Sequence, residues 1–183
     1  MIRRTTACLL LAAALPLAGC GGDDGSTTSS APTSAAQPTA QECETRSATA
    51  EAPAEVSTDL TEAPVVPATD AAPPCDLEIS DVVVGTGAEA VAGSTASVKY
   101  VGALYGSGEE FDSSWSRGAD ETLPVPVGAG RVIPGFDQAV DGMQVGGRRL
   151  VVIPSDLGYG AAGQGPIPGG ATLVFVIDLV SVA

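Results

Sequence analysis

Any chemistry in this chain is done without histidine. None of its 183 residues is His. That removes a Ser–His–Asp or Cys–His relay and any His-ligated metal. No phosphate loop or dinucleotide fingerprint is present. Gly85-Thr86-Gly87 and Gly128-Ala129-Gly130 lack a third glycine opening a long helix, and they read as turns. What remains is aromatic: all seven aromatic residues fall between Tyr100 and Phe175. Tyr159 stands between Gly158 and Gly160. An aromatic on a glycine-rich loop has little core to join, so Tyr159 is the side chain that points to a site. On residue type alone, Tyr100, Phe136 and Phe175 read as core. Asp112 and Arg117 read as a surface ion pair, and Ile167, between Pro166 and Pro168, as loop packing.

The elements that must position these residues can be read from periodicity. Val132 to Met143 reads as a strand end, a sharp entry and one short helix. Pro134 suits the first helical position. Phe136, Ala139, Val140 and Met143 recur every three or four residues as one apolar stripe, and Gly142 supplies a left-handed stop. The rest of the region after residue 76 is strand grammar, short Val, Ile, Leu and Thr runs cut by Gly and Pro. Strands are predicted at 77–84, 95–101, 109–114, 148–153 and 172–180, with an edge strand at 123–127 that carries Pro124 and Pro126. The expected class is α+β, a curled antiparallel sheet wrapped over one short helix.

The N-terminal part reads differently. Met1-Ile2-Arg3-Arg4 and an apolar run to Leu17 have the form of an export signal, too short to span a bilayer. Leu17-Ala18-Gly19-Cys20 resembles the lipobox of bacterial lipoproteins. The resemblance implies cleavage after residue 19 and a lipid on Cys20, anchoring the chain to the outer face of a bacterial cell membrane. Residues 20–75 are then expected to be a disordered acidic linker rich in Pro, Ala and Thr. Cys43 and Cys75 would share an oxidising compartment, where a disulfide between them is a hypothesis and two free thiols the alternative. Residues 76–183 form the expected domain. They hold thirteen acidic against five basic side chains, within a net charge of −14 for the chain. Such a surface repels phosphate, which excludes nucleic acid as a partner.

Five motifs carry a family resemblance. Val98-Lys99-Tyr100-Val101-Gly102, Phe111-Asp112-Ser113-Ser114, Val132-Ile133-Pro134-Gly135-Phe136, Gly158-Tyr159-Gly160 and Ala171-Thr172-Leu173-Val174-Phe175 follow one another in this order. Together they resemble the FK506-binding-protein family of peptidyl-prolyl cis-trans isomerases, over residues 76–183. The resemblance implies a shallow apolar pocket for a proline ring and no cofactor. Its walls would be Tyr100, Phe111, Val132, Ile133, Tyr159, Ile167 and Phe175, with Phe136 as floor. It further implies that Asp112 and Arg117 form a polar pair with Tyr100. The Ile133 N–H and the Tyr159 hydroxyl would bind ligand carbonyls. Pro-containing polypeptides and FK506-like macrolides are the implied ligands, and a monomer is expected. Phe136 stands where Trp is common in the family, Leu123 where an aromatic is common, and Arg131 where an acidic residue is common. The rival to a catalyst of exported-protein folding is a non-catalytic module that docks Pro-containing partners in the same pocket.

Overall fold

The computed structural model of the protein describes residues 42–51 and 53–183. Among these, six strands form one antiparallel sheet: β1 (Glu78–Val83), β2 (Thr95–Leu104), β3 (Glu110–Ser113), β4 (Leu123–Pro126), β5 (Arg148–Ile153) and β6 (Leu173–Val182). The order is β1-β5-β6-β2-β3, with β4 also on β2. β4 pairs with residues 95–98 of β2, and β3 with residues 101–103. The two short strands thus share one edge of β2, and the chain leaves the sheet between them. Pro124 and Pro126 lie on this edge, where a missing N–H costs no interior ladder bond.

The one α-helix among the described residues, α1 (Pro134–Val140), starts where Pro134 predicts. It is shorter than the apolar stripe. Asp141 is already extended, and Gly142 turns the chain away at φ +76°. Phe136, Ala139, Val140 and Met143 are all buried. The helix meets β5 so closely that a Cβ on Gly135 would lie 2.4 Å from Ile153 Cγ2.

Strand alternation explains the two faces of the sheet. Ala96, Val98 and Tyr100 of β2, Val151 and Ile153 of β5, and Leu173, Phe175, Ile177 and Leu179 of β6 pack with the helix in the larger core. The residues between them form a second core. Val101, Ala103, Leu150, Val152, Val174 and Val176 gather there with Tyr105, and with Val56 and Val66 from upstream of the sheet.

This second core corrects the expectation for residues 20–75. From residue 42 onward the chain is a strap on the sheet, so the folded domain begins well before residue 76. Val56 and Val66 are 3 % and 7 % exposed. Burying a valine is worth about 1.5–3 kcal/mol, which offsets ordering that the polar composition could not support alone. Thr49 bridges to Ile79 in parallel, and Thr69 N–H donates to the Gly106 carbonyl at 3.1 Å. Cys43 and Cys75 are joined, with Cα atoms 4.9 Å apart. Residues 1–19 and Cys20 lie outside the described residues.

Arg148 latches the strap. Its side chain is fully buried. Nε and Nη2 donate to the two carboxylate oxygens of Asp178 at 2.6 and 2.7 Å. Nη1 donates to the Ser57 carbonyl at 2.7 Å, and Nη2 to that of Glu62 at 3.0 Å. One guanidinium therefore neutralises a buried carboxylate of β6 and satisfies two carbonyls of the strap.

Candidate active site

The site is built on β2, β3, β6, the start of α1 and the loop after β5. Phe136 lies at its base, 3 % exposed. The Phe175 ring stands edge-on to Phe136 with centroids 5.2 Å apart, and Tyr100 does the same at 5.9 Å. Phe111 of β3 packs edge-on against Phe175 at 5.6 Å. Edge-to-face contacts fix ring orientation as well as area. The rings enclose a cavity of about 410 Å³.

Two loops complete the rim. Asp137, in the first turn of α1, accepts hydrogen bonds from the N–H groups of Gly128 and Gly130 at 2.8 and 3.0 Å. This clamps the loop that presents Arg131, Val132 and Ile133 to the cavity. Ser114 Oγ accepts from the Tyr100 N–H at 2.9 Å, and the Ser114 N–H donates to the Tyr100 carbonyl at 3.0 Å. That tie turns the chain after β3 into a short 3-10 turn, Trp115–Arg117, and brings Arg117 back to the cavity edge.

Of the ten pocket residues that the resemblance assigned, eight line the cavity: Tyr100, Phe111, Asp112, Val132, Ile133, Phe136, Tyr159 and Phe175. Two do not. Arg117 sits behind Asp112 and Tyr100, held there by its hydrogen bonds to both. Ile167 is 6 % exposed within the larger core, because Gln164 and Ile167 close a tight turn through reciprocal backbone bonds of 3.0 and 2.9 Å. Leu123 and Arg131 also line the cavity. Their only signal in the sequence was their departure from the family pattern, since neither type marks a site by itself.

A polar triad closes one side. The Tyr100 hydroxyl donates to Asp112 Oδ2 at 2.5 Å and accepts from Arg117 Nη2 at 2.9 Å. Arg117 Nη1 donates to Asp112 Oδ1 at 2.6 Å. Burial would push the Asp112 carboxyl up, but hydrogen bonds from Tyr100 and Arg117 outweigh it and hold it below its ordinary 3.8. Burial, followed by the bond to Asp112, raises the Tyr100 phenol above 10.0. Burial, followed by the charge of Asp112, raises Tyr159 as well. All three groups therefore keep one protonation state at neutral pH. The Ile133 N–H and the Tyr159 hydroxyl, both at the cavity, make no hydrogen bond among the described residues.

Gly102 lies directly beneath the rings. A Cβ there would fall 2.7 Å from Phe175 Cε1 and 2.9 Å from two atoms of Phe111. Gly102→Ala is expected to displace both rings, cost about 1–3 kcal/mol of stability and raise the KM for a Pro-containing peptide. Denaturant unfolding and steady-state kinetics on the same preparation check both effects. An unchanged KM would mean that the rings do not shape the binding surface.

Comparison with known proteins agrees with this geometry. Residues 87–180 match the family profile described as FKBP-type peptidyl-prolyl cis-trans isomerase. The FK506-binding protein of Streptomyces anulatus is 54% identical over 112 residues, which is 60% of this chain and 89% of that protein. The probable FK506-binding protein of Corynebacterium glutamicum is 48% identical over 120 residues, 66% of this chain and 94% of that protein. Among solved structures, AtFKBP13 superposes with a TM-score of 0.54 at 39% identity, over 58% of this chain and 93% of that one. FkpA from Escherichia coli gives 0.51 at 37% identity, over 58% of this chain and 47% of that one. The curled sheet over one helix is the architecture of these structures, and by sequence the chain belongs to the FKBP-type peptidyl-prolyl cis-trans isomerase family.

Proposed function

We propose that this isomerase acts on X–Pro bonds of exported proteins while a lipid on Cys20 holds it to the outer face of a bacterial cell membrane. The observation that carries the catalytic part is an apolar, aromatic-walled cavity with two hydrogen-bonding groups left unengaged among the described residues, the Ile133 N–H and the Tyr159 hydroxyl. The tether rests on Leu17-Ala18-Gly19-Cys20 alone.

The reaction needs no bond cleavage. An amide must twist over a barrier of about 18–20 kcal/mol. The twisted amide has lost its resonance and much of its charge separation, so water favours the planar ground state. A proline ring seated over Phe136, between Tyr100 and Phe175, takes the amide out of water and removes that preference. The Ile133 N–H and Tyr159 hydroxyl hold substrate carbonyls while the carbonyl preceding proline rotates. The triad keeps the Tyr100 ring upright, with Asp112 charged and Tyr100 neutral.

Such a mechanism titrates nothing near neutrality. Peptide isomerisation is expected to be flat from about pH 5 to pH 9, with folding stability following the same groups. The folded Asp112 carboxyl titrates below its unfolded value, so its contribution is complete above that value and is lost as pH falls through the lowered one. The Tyr100 phenol titrates above its unfolded value, so its contribution is complete below about pH 10 and is lost as pH rises through the raised one. A bell-shaped profile centred near pH 7 would contradict this mechanism.

The direct test is X–Pro isomerisation of a model peptide by the whole chain in detergent, with and without FK506. Acceleration abolished by the macrolide is the expected result, and folded protein without acceleration would favour a docking module. For the tether, Cys20→Ala should move the protein from the membrane to the soluble fraction of its host.

A further inference from the structure

Arg131 is the one cation among the described residues that no other described residue engages. Arg46 pairs with Glu44, Arg117 with Asp112, Arg148 with Asp178 and Arg149 with Asp81. Lys99 donates to the Ala119 carbonyl and lies 4.1 Å over the Trp115 ring. Arg131 has no hydrogen bond, ion pair or aromatic partner among the described residues, yet it is exposed and lines the aromatic cavity. Its attachment point is fixed. Asp137 clamps Gly128 and Gly130 on one side. On the other, the Ile133 carbonyl accepts the Phe136 and Asp137 N–H groups at 3.0 and 3.1 Å.

The other charge at the cavity, Asp112, is already neutralised by Arg117 at 2.6 Å. The rim therefore carries one uncompensated positive charge, on a domain whose residues 76–183 include thirteen acidic and five basic side chains. The two fields act over different distances. The diffuse negative charge is screened beyond about 8 Å at physiological salt. A carboxylate beside a bound proline would meet the guanidinium at contact, where its forked donors match both oxygens.

We propose that Arg131 makes this site select proline segments that carry Asp or Glu within about two residues of the proline. The proposal rests on the reading of the cavity as the X–Pro site. The pair would be solvent-exposed, so the expected preference is about two- to five-fold over a basic residue at the same place.

The test uses the whole chain in detergent and peptides in which Glu, Gln or Lys occupies each of the two positions before and after one proline. Binding is measured by calorimetry, and isomerisation in parallel. At low salt, Glu peptides should bind about two- to five-fold tighter than Lys peptides at one or more positions. High salt should close the gap, Arg131→Gln should abolish it and Arg131→Glu should invert it. Equal binding of Glu and Lys peptides, the same ranking in Arg131→Glu, or no binding by any peptide overturns the proposal. The expected ranking without any acceleration leaves selection by Arg131 standing and removes the isomerase reading instead.

Discussion

Arg148→Met is expected to lower the free energy of unfolding by about 3–5 kcal/mol, read from the urea midpoint at constant slope. The substitution leaves the Asp178 carboxylate, 4 % exposed, without its partner. It also strips the donors from the Ser57 and Glu62 carbonyls. These losses can be separated. In Arg148→Met/Asp178→Leu no charge is left buried, and replacing such a pair with apolar side chains is often neutral. The double variant should therefore recover most of the stability, yet its strap should remain unlatched. Limited proteolysis between residues 53 and 70 reads the latch directly. Cleavage as slow as in the parent protein would show that Arg148 merely neutralises Asp178.

Phe136→Ser is expected to lower kcat/KM for an X–Pro peptide at least ten-fold, a barrier increase of about 1.4 kcal/mol. It should also cost about 3–5 kcal/mol of stability, because Phe136 is core as well as cavity floor. Phe136→Leu separates the roles. It keeps an apolar floor and should cost roughly 1.5 kcal/mol or less, so turnover should fall far less than in Phe136→Ser. Both are assayed at a temperature where circular dichroism shows them folded. If Leu and Ser impair turnover equally, the ring itself matters, through its edge contacts to Tyr100 and Phe175, rather than an apolar environment.

The helix and the sheet were legible because their signals are local. Pro134 and the stripe of Phe136, Ala139, Val140 and Met143 define α1 within ten residues, and Leu173, Phe175, Ile177 and Leu179 alternate along β6. Beyond the Cys43–Cys75 tie the strap was not legible, because its other anchors include Val56, Val66 and the partners of one arginine at sequence separations of 86 and 91. There was nevertheless a signal. Leu150-Val151-Val152-Ile153 and Leu173 to Ile177 are apolar on both faces, and a sheet with two apolar faces needs two covers. One helix supplies only one. In the site, Tyr159 followed from its type and glycine-flanked position, and the other aromatic residues from motif order alone. Arg117 stands in the implied triad with Asp112 and Tyr100, but that it and Ile167 lie off the cavity surface depends on how the loops close, through the Ser114 tie and the 164–167 turn. Residue type does not encode that.

If Cys20 carries the proposed lipid, where the strap begins also bounds how far the domain can stand from the membrane. Only twenty-three residues of chain then separate Cys20 from Cys43, which is held beside Cys75 in the folded body. Twenty-three residues reach at most about 80 Å, against about 190 Å had the leash run to residue 76. For a flexible tether the effective concentration falls roughly as the −3/2 power of its length, so twenty-three residues in place of fifty-six would raise the local concentration of active sites near the bilayer about four-fold. Clients would then meet the enzyme as they emerge at the membrane, and distant ones only after diffusing to it.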